Sequence, residues 1–307
     1  MNLLSLIPPT LAIVLAPLMG GIINRTKAIQ AGRTGPPLLQ PYYDLRRLMG
    51  KSAVFSTTTT WVFRAGPVVG LAATLAAVSL IPFGNCPAPL RFEGDLVLLA
   101  YLLGLARLFT VLAALDTGSA FEGMGASREV LFSALAEPAL LLGLAALAEN
   151  TQVFSLSNMH SALTFGLWTT RGLTLALVAV ALLVVLLTEC SRLPIDDPNT
   201  HLELTMIHEV MVLDHSGPDL AFIEYASALK MWLLGSLAVG VLVPVRTAIW
   251  PLDLIAALAG MLVLAILVGI VESSMARLRL VRVPQLLVGA AMLSALALVL
   301  VAGAQHP

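Results

Sequence analysis

Residues 172–189 read GLTLALVAVALLVVLLTE, a run built almost wholly of Leu, Ala and Val that meets its first charge only at Glu189. At 1.5 Å per residue this run is roughly 27 Å long as a helix, close to the roughly 30 Å hydrocarbon core of a bilayer. It has no two-residue alternation, so a helix is predicted rather than a barrel strand. Seven other windows share this character: Leu3–Ile23, Trp61–Ile81, Leu96–Leu115, Glu129–Ala148, Leu229–Val245, Leu252–Val271 and Val283–Val301. The expected fold is therefore all-α, a polytopic membrane protein with about eight transmembrane helices forming a single transmembrane domain over residues 1–307.

Composition leads to the same place. The 307 residues are 58% hydrophobic and 11% charged. An ordinary soluble domain carries about 25% charge. A water-soluble globule, a disordered chain, a nucleic-acid binder and a disulfide scaffold are all poor fits. The first span is not read as a cleavable signal peptide, because no basic residue precedes Arg25 and the apolar stretch is too long. It is expected to remain as an anchor.

The charges sort by side. The connections at about 24–60, 116–128, 190–228 and 272–282, with the adjoining span ends, hold Arg25, Lys27, Arg33, Arg46, Arg47, Lys51, Arg64, Arg128, Arg192, Lys230, Arg277, Arg279 and Arg282. The opposite side holds Arg91, Arg171 and Arg246. The positive-inside rule makes the basic loops cytoplasmic and both termini non-cytoplasmic. Cys86 and Cys190 then lie on opposite sides and cannot join each other. Neither belongs to a Cys-x-x-Cys pair, so neither an iron–sulfur cluster nor a structural zinc site is expected of cysteine here.

Arg107 and Glu137 are the rare charges inside spans, where insertion costs about 2.5–3.5 kcal/mol and a buried partner is the rule. Both are expected roughly 13 Å below the same face on consecutive antiparallel helices, where they can meet. Pro138 follows Glu137 and frees a backbone carbonyl near Ala134, which favours a hydrated carboxyl. The alternative is a static ion pair. Glu189 and Glu272 end spans at the basic side, and Glu129 sits one turn in, so all three are candidates for a polar path. His201, His208 and His215 repeat every seven residues, which suits a polar, partner-facing loop better than a metal site. Gly123-Met124-Gly125 lacks the strand and register of a nucleotide loop. No internal repeat is apparent, which weakens a stand-alone transporter reading.

Four segments carry a family resemblance. Residues 115–129 (LDTGSAFEGMGASRE), Gly32-Arg33-Thr34-Gly35-Pro36 with Leu39-Gln40 and Asp44, Arg192-Leu193-Pro194-Ile195-Asp196, and Glu272-Ser273-Ser274-Met275-Ala276-Arg277 together resemble the subunit 1 family of respiratory complex I. Within it they are most similar to the formate hydrogenlyase-type membrane-bound [NiFe] hydrogenase branch.

The resemblance implies a membrane anchor that docks a hydrophilic electron-transfer module and adjoins antiporter-like membrane subunits. It would link redox chemistry to proton or sodium movement in the cytoplasmic membrane of a prokaryote. The chain itself would bind no cofactor, with [NiFe] and iron–sulfur centres in hydrogenase-like large and small partner subunits. Carried over by position, Glu137 matches the family's buried fourth-helix glutamate and Glu189 the acid ending the fifth. Asp196 and Glu203 match acids of the following loop. Arg33 and Asp44, with Asp116, Arg128, His201 and Arg277, are candidates for docking or for lining a quinone-like cavity. Where complex I subunits continue with an acidic run, this chain has Asp197-Pro198-Asn199-Thr200-His201, and Ile195 replaces the usual Phe. That departure argues against quinone as the acceptor, and a quinone-chamber subunit stands as the alternative.

Overall fold

A computed structural model describes residues 3–196, 207–247 and 249–303. Among the described residues eight helices are long and apolar enough to cross a membrane, matching the eight windows. In chain order they are α1 (Ile7–Gln30), α3 (Trp61–Val78), α4 (Asp95–Asp116), α5 (Ala120–Thr151), α7 (Phe165–Glu189), α9 (Gly217–Leu242), α10 (Trp250–Ser274) and α11 (Val283–Gly303). Three short helices join them: α2 (Gln40–Met49), α6 (Leu156–Ala162) and α8 (His208–Val212).

Packing places α7 and α9 in the middle. Helix α11 lies against α5 and α7, α3 against α4 and α9, and α1 against α10 and α9. The core is built from Leu, Ala and Val of these helices, with Leu175, Val178, Leu186, Leu229 and Leu233 fully enclosed. Lipid tails are as apolar as these side chains, so close backbone approach rather than the hydrophobic effect must hold the helices together. Gly66 shows this. A Cβ there would fall 2.8 Å from the Ala113 side chain and 3.2 Å from the Phe109 carbonyl, so only glycine lets α3 approach α4 so closely.

Helix ends are closed by acids, of which Asp95 and Asp253 are buried. Asp116, the last residue of α4, accepts the Thr60 backbone N–H at 2.6 Å and the Thr60 hydroxyl at 2.9 Å, capping α3. At the opposite end Asp95 accepts the Leu156 N–H at 2.7 Å and the Ser155 hydroxyl at 2.9 Å. Asp253 there takes the Thr247 N–H and Asn85 side-chain amide, each at 2.8 Å. These bonds answer donors that helix starts leave unpaired. Pro17 removes the N–H that would bond the Ile13 carbonyl in α1. The Tyr225 hydroxyl donates to that carbonyl at 2.8 Å and so ties α9 to α1.

Several boundaries differ from the sequence expectation. Helix α5 starts at Ala120 instead of Glu129, so the expected loop 116–128 shrinks to 117–119. Burying Glu122 lets the helix run on past its glycines and charges. Helix α9 starts at Gly217 rather than Leu229, with Pro218 in its first turn. Ser216-Gly217-Pro218 therefore begins a helix as well as ending the turn that holds His215. The basic connection between α1 and α3 holds the short helix α2.

Candidate functional site

Four helices bring five charges to one place. Arg107 of α4 donates to Glu137 of α5, and its Nη2 donates to Glu189 Oε1 of α7 at 2.5 Å. Its Nε stands 3.9 Å from Glu129 Oε1, beyond hydrogen-bond length. On the far side Lys230 Nζ of α9 reaches Glu189 Oε2 at 3.5 Å. Arg107 retains only 10% side-chain exposure and Glu189 only 4%. Two cations thus face three carboxylates, and all but Glu137 are largely withdrawn from the surface. Arginine suits the hub, since its planar fork presents five donors and stays charged.

The position of Glu137 corrects the expectation that it is enclosed. Its side chain is 47% exposed on the isolated chain, against 10% for its partner Arg107. The α5 surface about it is open, with Ala134 and Pro138 exposed on either side. Glu137 therefore marks the rim of the cluster and Glu189 its centre.

Three further ion pairs, built around two acids, lie nearer the loops. Glu272, at the end of α10, is enclosed and bonds Lys27 of α1 at 2.9 Å and Arg192 at 3.3 Å. Asp196 bonds Arg277 at 2.8 Å and accepts the Ile207 and His208 backbone N–H groups, each at 3.2 Å. They pin the segments after α7 and α10 to one another.

Cavities join these groups. A cavity of about 400 Å³ is lined by Arg192, Asp196, His208, His215, Ile223 and Ser227, among others. It shares His208, Ile223 and Ser227 with a cavity of about 50 Å³ that touches Arg107, Glu129 and Lys230. A void of about 10 Å³ touches Glu129, Glu189 and Asp196. A fourth, of about 270 Å³, lies between α1, α2 and α9 and is bordered by Asp44, Arg192 and Glu224. A void of about 10–15 Å³ is enough for one water, so the chain of cavities can hold water up to the Arg107 cluster.

His208 and His215 both border the 400 Å³ cavity. Burial, reinforced for His208 by Lys230, brings each ring down to about 4, so both are neutral near pH 7. His215 also stacks on Phe63 with ring centroids 3.9 Å apart. Burial pushes the Cys190 thiol up to about 11, which keeps it an unreactive neutral group. Among the described residues no group of three or more His, Cys, Asp or Glu is placed to hold a metal ion.

Of the residues expected from sequence, Arg107, Glu129, Glu137 and Glu189 come together. Glu272, Asp196 and Arg277 form the separate pairs. Asp116 is a helix cap. Asp44 lies on α2, bonded to Arg47 at 3.2 Å and Gln40 at 3.0 Å. Arg33 is exposed in the turn before α2, and Arg128 sits beside Glu129 on α5. His201 and Glu203 lie outside the described residues. Sequence reasoning missed Lys230 as a member of the cluster. Its signal was present: Lys230 follows an acidic and polar stretch directly into the apolar run Met231–Leu242, and a lysine there needs a buried acid.

Comparison with known proteins identifies the family. Residues 2–303 match the family described as NADH dehydrogenase. Formate hydrogenlyase subunit 4 of Escherichia coli (strain K12) is 32% identical over 296 residues, covering 92% of this chain and 93% of the relative. Hydrogenase-4 component C of the same organism is 31% identical, covering 89% and 87%. An NADH-quinone oxidoreductase subunit of Polaromonas sp. is 28% identical, covering 74% and 68%. A solved chain of the membrane-bound sulfane sulfur reductase, an archaeal respiratory membrane complex, shares the fold with a TM-score of 0.83 at 23% identity, covering 97% and 98%. With its whole length matched and its eight spans in place, this multi-pass membrane protein belongs to the NADH dehydrogenase family, the complex I subunit 1 family that its motifs resemble.

Proposed function

We propose that this chain is a membrane subunit of a complex I-like or hydrogenase-like respiratory complex, and that it couples the redox reaction of a hydrophilic module to ion movement. The observation that carries this reading is the Arg107–Glu137–Glu189–Lys230 cluster, joined by cavities to the loops at one end of the bundle. A bundle needing only to hold together gains little from buried ion pairs, which often do no better than apolar residues of like volume. Ionisable groups within spans mark ion or proton routes by default.

The basic loop 24–60 and the acidic segment after α7 form the docking face for the hydrophilic module. The charge asymmetry supports a cytoplasmic position for that face, with both termini opposite. Similarity to formate hydrogenlyase and hydrogenase components supports [NiFe] hydrogenase-like large and small subunits as the docked partners, which would carry the [NiFe] and iron–sulfur centres. Antiporter-like subunits would take the ions onward within the cytoplasmic membrane. Affinity purification in mild detergent tests this. A cluster-bearing hydrogenase-like pair in stoichiometric amount supports it; isolation of the chain alone, active in liposomes as a transporter, overturns it.

A second reading has one observation in its favour. The 400 Å³ cavity falls within the usual range for a small-molecule site, with Leu213, Leu220 and Ile223 opposite Arg192 and His208. A quinone-chamber subunit would use that cavity, and solvent extraction of the purified complex would then yield quinone.

A further inference from the structure

We propose that the Arg107 cluster holds one exchangeable proton, carried on Glu129, and that Lys230 is the positioning residue that directs it there. This rests on the ion-coupling reading above and names the site and its counter-ion.

The count of charges comes first. Glu129, Glu137 and Glu189 bring three negative charges, and Arg107 and Lys230 bring two positive ones. An uncompensated charge withdrawn from bulk water is costly, and one proton cancels the surplus carried by the three carboxylates. Geometry says where it sits. Glu137 and Glu189 are both bonded by Arg107, and Glu189 also has Lys230. Glu129 meets its nearest cation only at 3.9 Å. The carboxylate with the weakest cation contact is the one that takes the proton.

The cavity supplies an independent sign. The Arg107 side chain is nine-tenths buried, and its Nε has no hydrogen-bond partner. Arg107 and Glu129 both border the 50 Å³ cavity, together with Lys230 and His208. That cavity has room for water beside both residues. The same cavity shares His208, Ile223 and Ser227 with the 400 Å³ cavity, the side from which protons arrive.

Lys230 decides the state. Its ammonium is a flexible point charge with three donors, unlike the fixed fork of arginine, and its bond to Glu189 at 3.5 Å is long. It borders the cavity that Glu129 also borders. When Glu129 loses its proton to cavity water, Lys230 moves to the new carboxylate and leaves Glu189 to Arg107. When Glu129 regains it, Lys230 returns. The groups facing Glu129 are Arg107 from α4, Glu137 on its own helix, Glu189 from α7, Lys230 from α9, His208 from α8 and Asp196 from the segment after α7. His208 is neutral near pH 7 and does not alter the balance.

The test is infrared difference spectroscopy on the complete complex, purified with wild-type chain or with Glu129→Gln, Glu137→Gln, Lys230→Met or Lys230→Arg, with co-purifying subunits checked for each. At neutral pH the wild type should show a protonated-carboxyl band, sensitive to deuterium exchange, that Glu129→Gln removes and Lys230→Arg keeps. Lys230→Met should raise its intensity about twofold, because two protons are then needed for balance. A band that survives Glu129→Gln, persists at full strength in Glu137→Gln where the charges already balance, ignores Lys230→Met, or is displaced by sodium ions overturns the assignment. If the band behaves as described but the wild-type complex moves no ions, the coupling reading fails and the proton site stands. If ions move and the band ignores Glu129, only the proton site falls.

Discussion

Arg107 and Glu189 are 82 positions apart in the chain and 2.5 Å apart in the structure. That bond ties α4 to α7, while the other arm of the guanidinium holds Glu137 on α5. Removing Arg107 leaves three carboxylates with Lys230 as their sole cation in the cluster. Arg107→Leu should therefore destabilise the fold by about 3–5 kcal/mol, the usual result of leaving a buried charge unpaired. Adding Glu189→Leu should restore part of the loss, and a double-mutant cycle on thermal unfolding of the purified complex measures it. Strict additivity would show that the two side chains do not interact.

Glu272 offers a second case of shared charge. It holds Lys27 and Arg192 while fully enclosed, so Glu272→Ala strands two cations at the junction of α1, α10 and the segment after α7. The expected loss is again about 3–5 kcal/mol. Glu272→Gln, which keeps the volume and some hydrogen bonding, should recover less than half of it. Protease sensitivity of the 190–216 segment reports this directly, and unchanged cleavage in Glu272→Ala would contradict it.

Acid should loosen the same region. His208 and His215 are brought from the ordinary 6.5 of histidine to about 4 by burial. Folding therefore favours the neutral rings, and the stability they contribute is complete above about pH 6.5 and is lost as pH falls toward 4. Hydrogen exchange over residues 207–217, corrected for intrinsic rate, should rise through that window. His215→Phe, which preserves the stack on Phe63, should blunt the rise. Protection that holds steady down to about pH 4 would contradict the expectation.

The turn into α9 depends on one glycine. Gly217 has φ +57, and a Cβ there would fall 2.8 Å from the Ser52 carbonyl oxygen. Gly217→Ala should cost about 1–3 kcal/mol through strain and push the 52–54 stretch of chain away. The Val54 N–H bond to the Ser216 hydroxyl, 3.0 Å long, should go with it. Faster exchange at Val54 in the variant checks this, and wild-type exchange there would contradict it.

The eight spans were legible because their signal is long, apolar and local. What was lost lay at their ends. Asp219 and Glu224 made the first turns of α9 read as loop, although the helix carries them past Pro218. Glu122 and two glycines hid the start of α5 in the same way. Depth along a helix was readable from residue counting, and it brought Arg107 and Glu137 to one level. Azimuth was not, so the exposure of Glu137 and the central place of Glu189 appear only once packing is known. Lys230 was hidden for the same reason: its partner is 41 positions away on another helix.

Ion movement per electron pair is the decisive quantity, measured in proteoliposomes holding the purified complex with wild-type chain or Glu189→Gln. If the cluster couples the redox reaction to translocation, the variant assembles and passes electrons while its ion gradient collapses. A Glu189→Gln complex that builds the full wild-type gradient would contradict coupling through these residues.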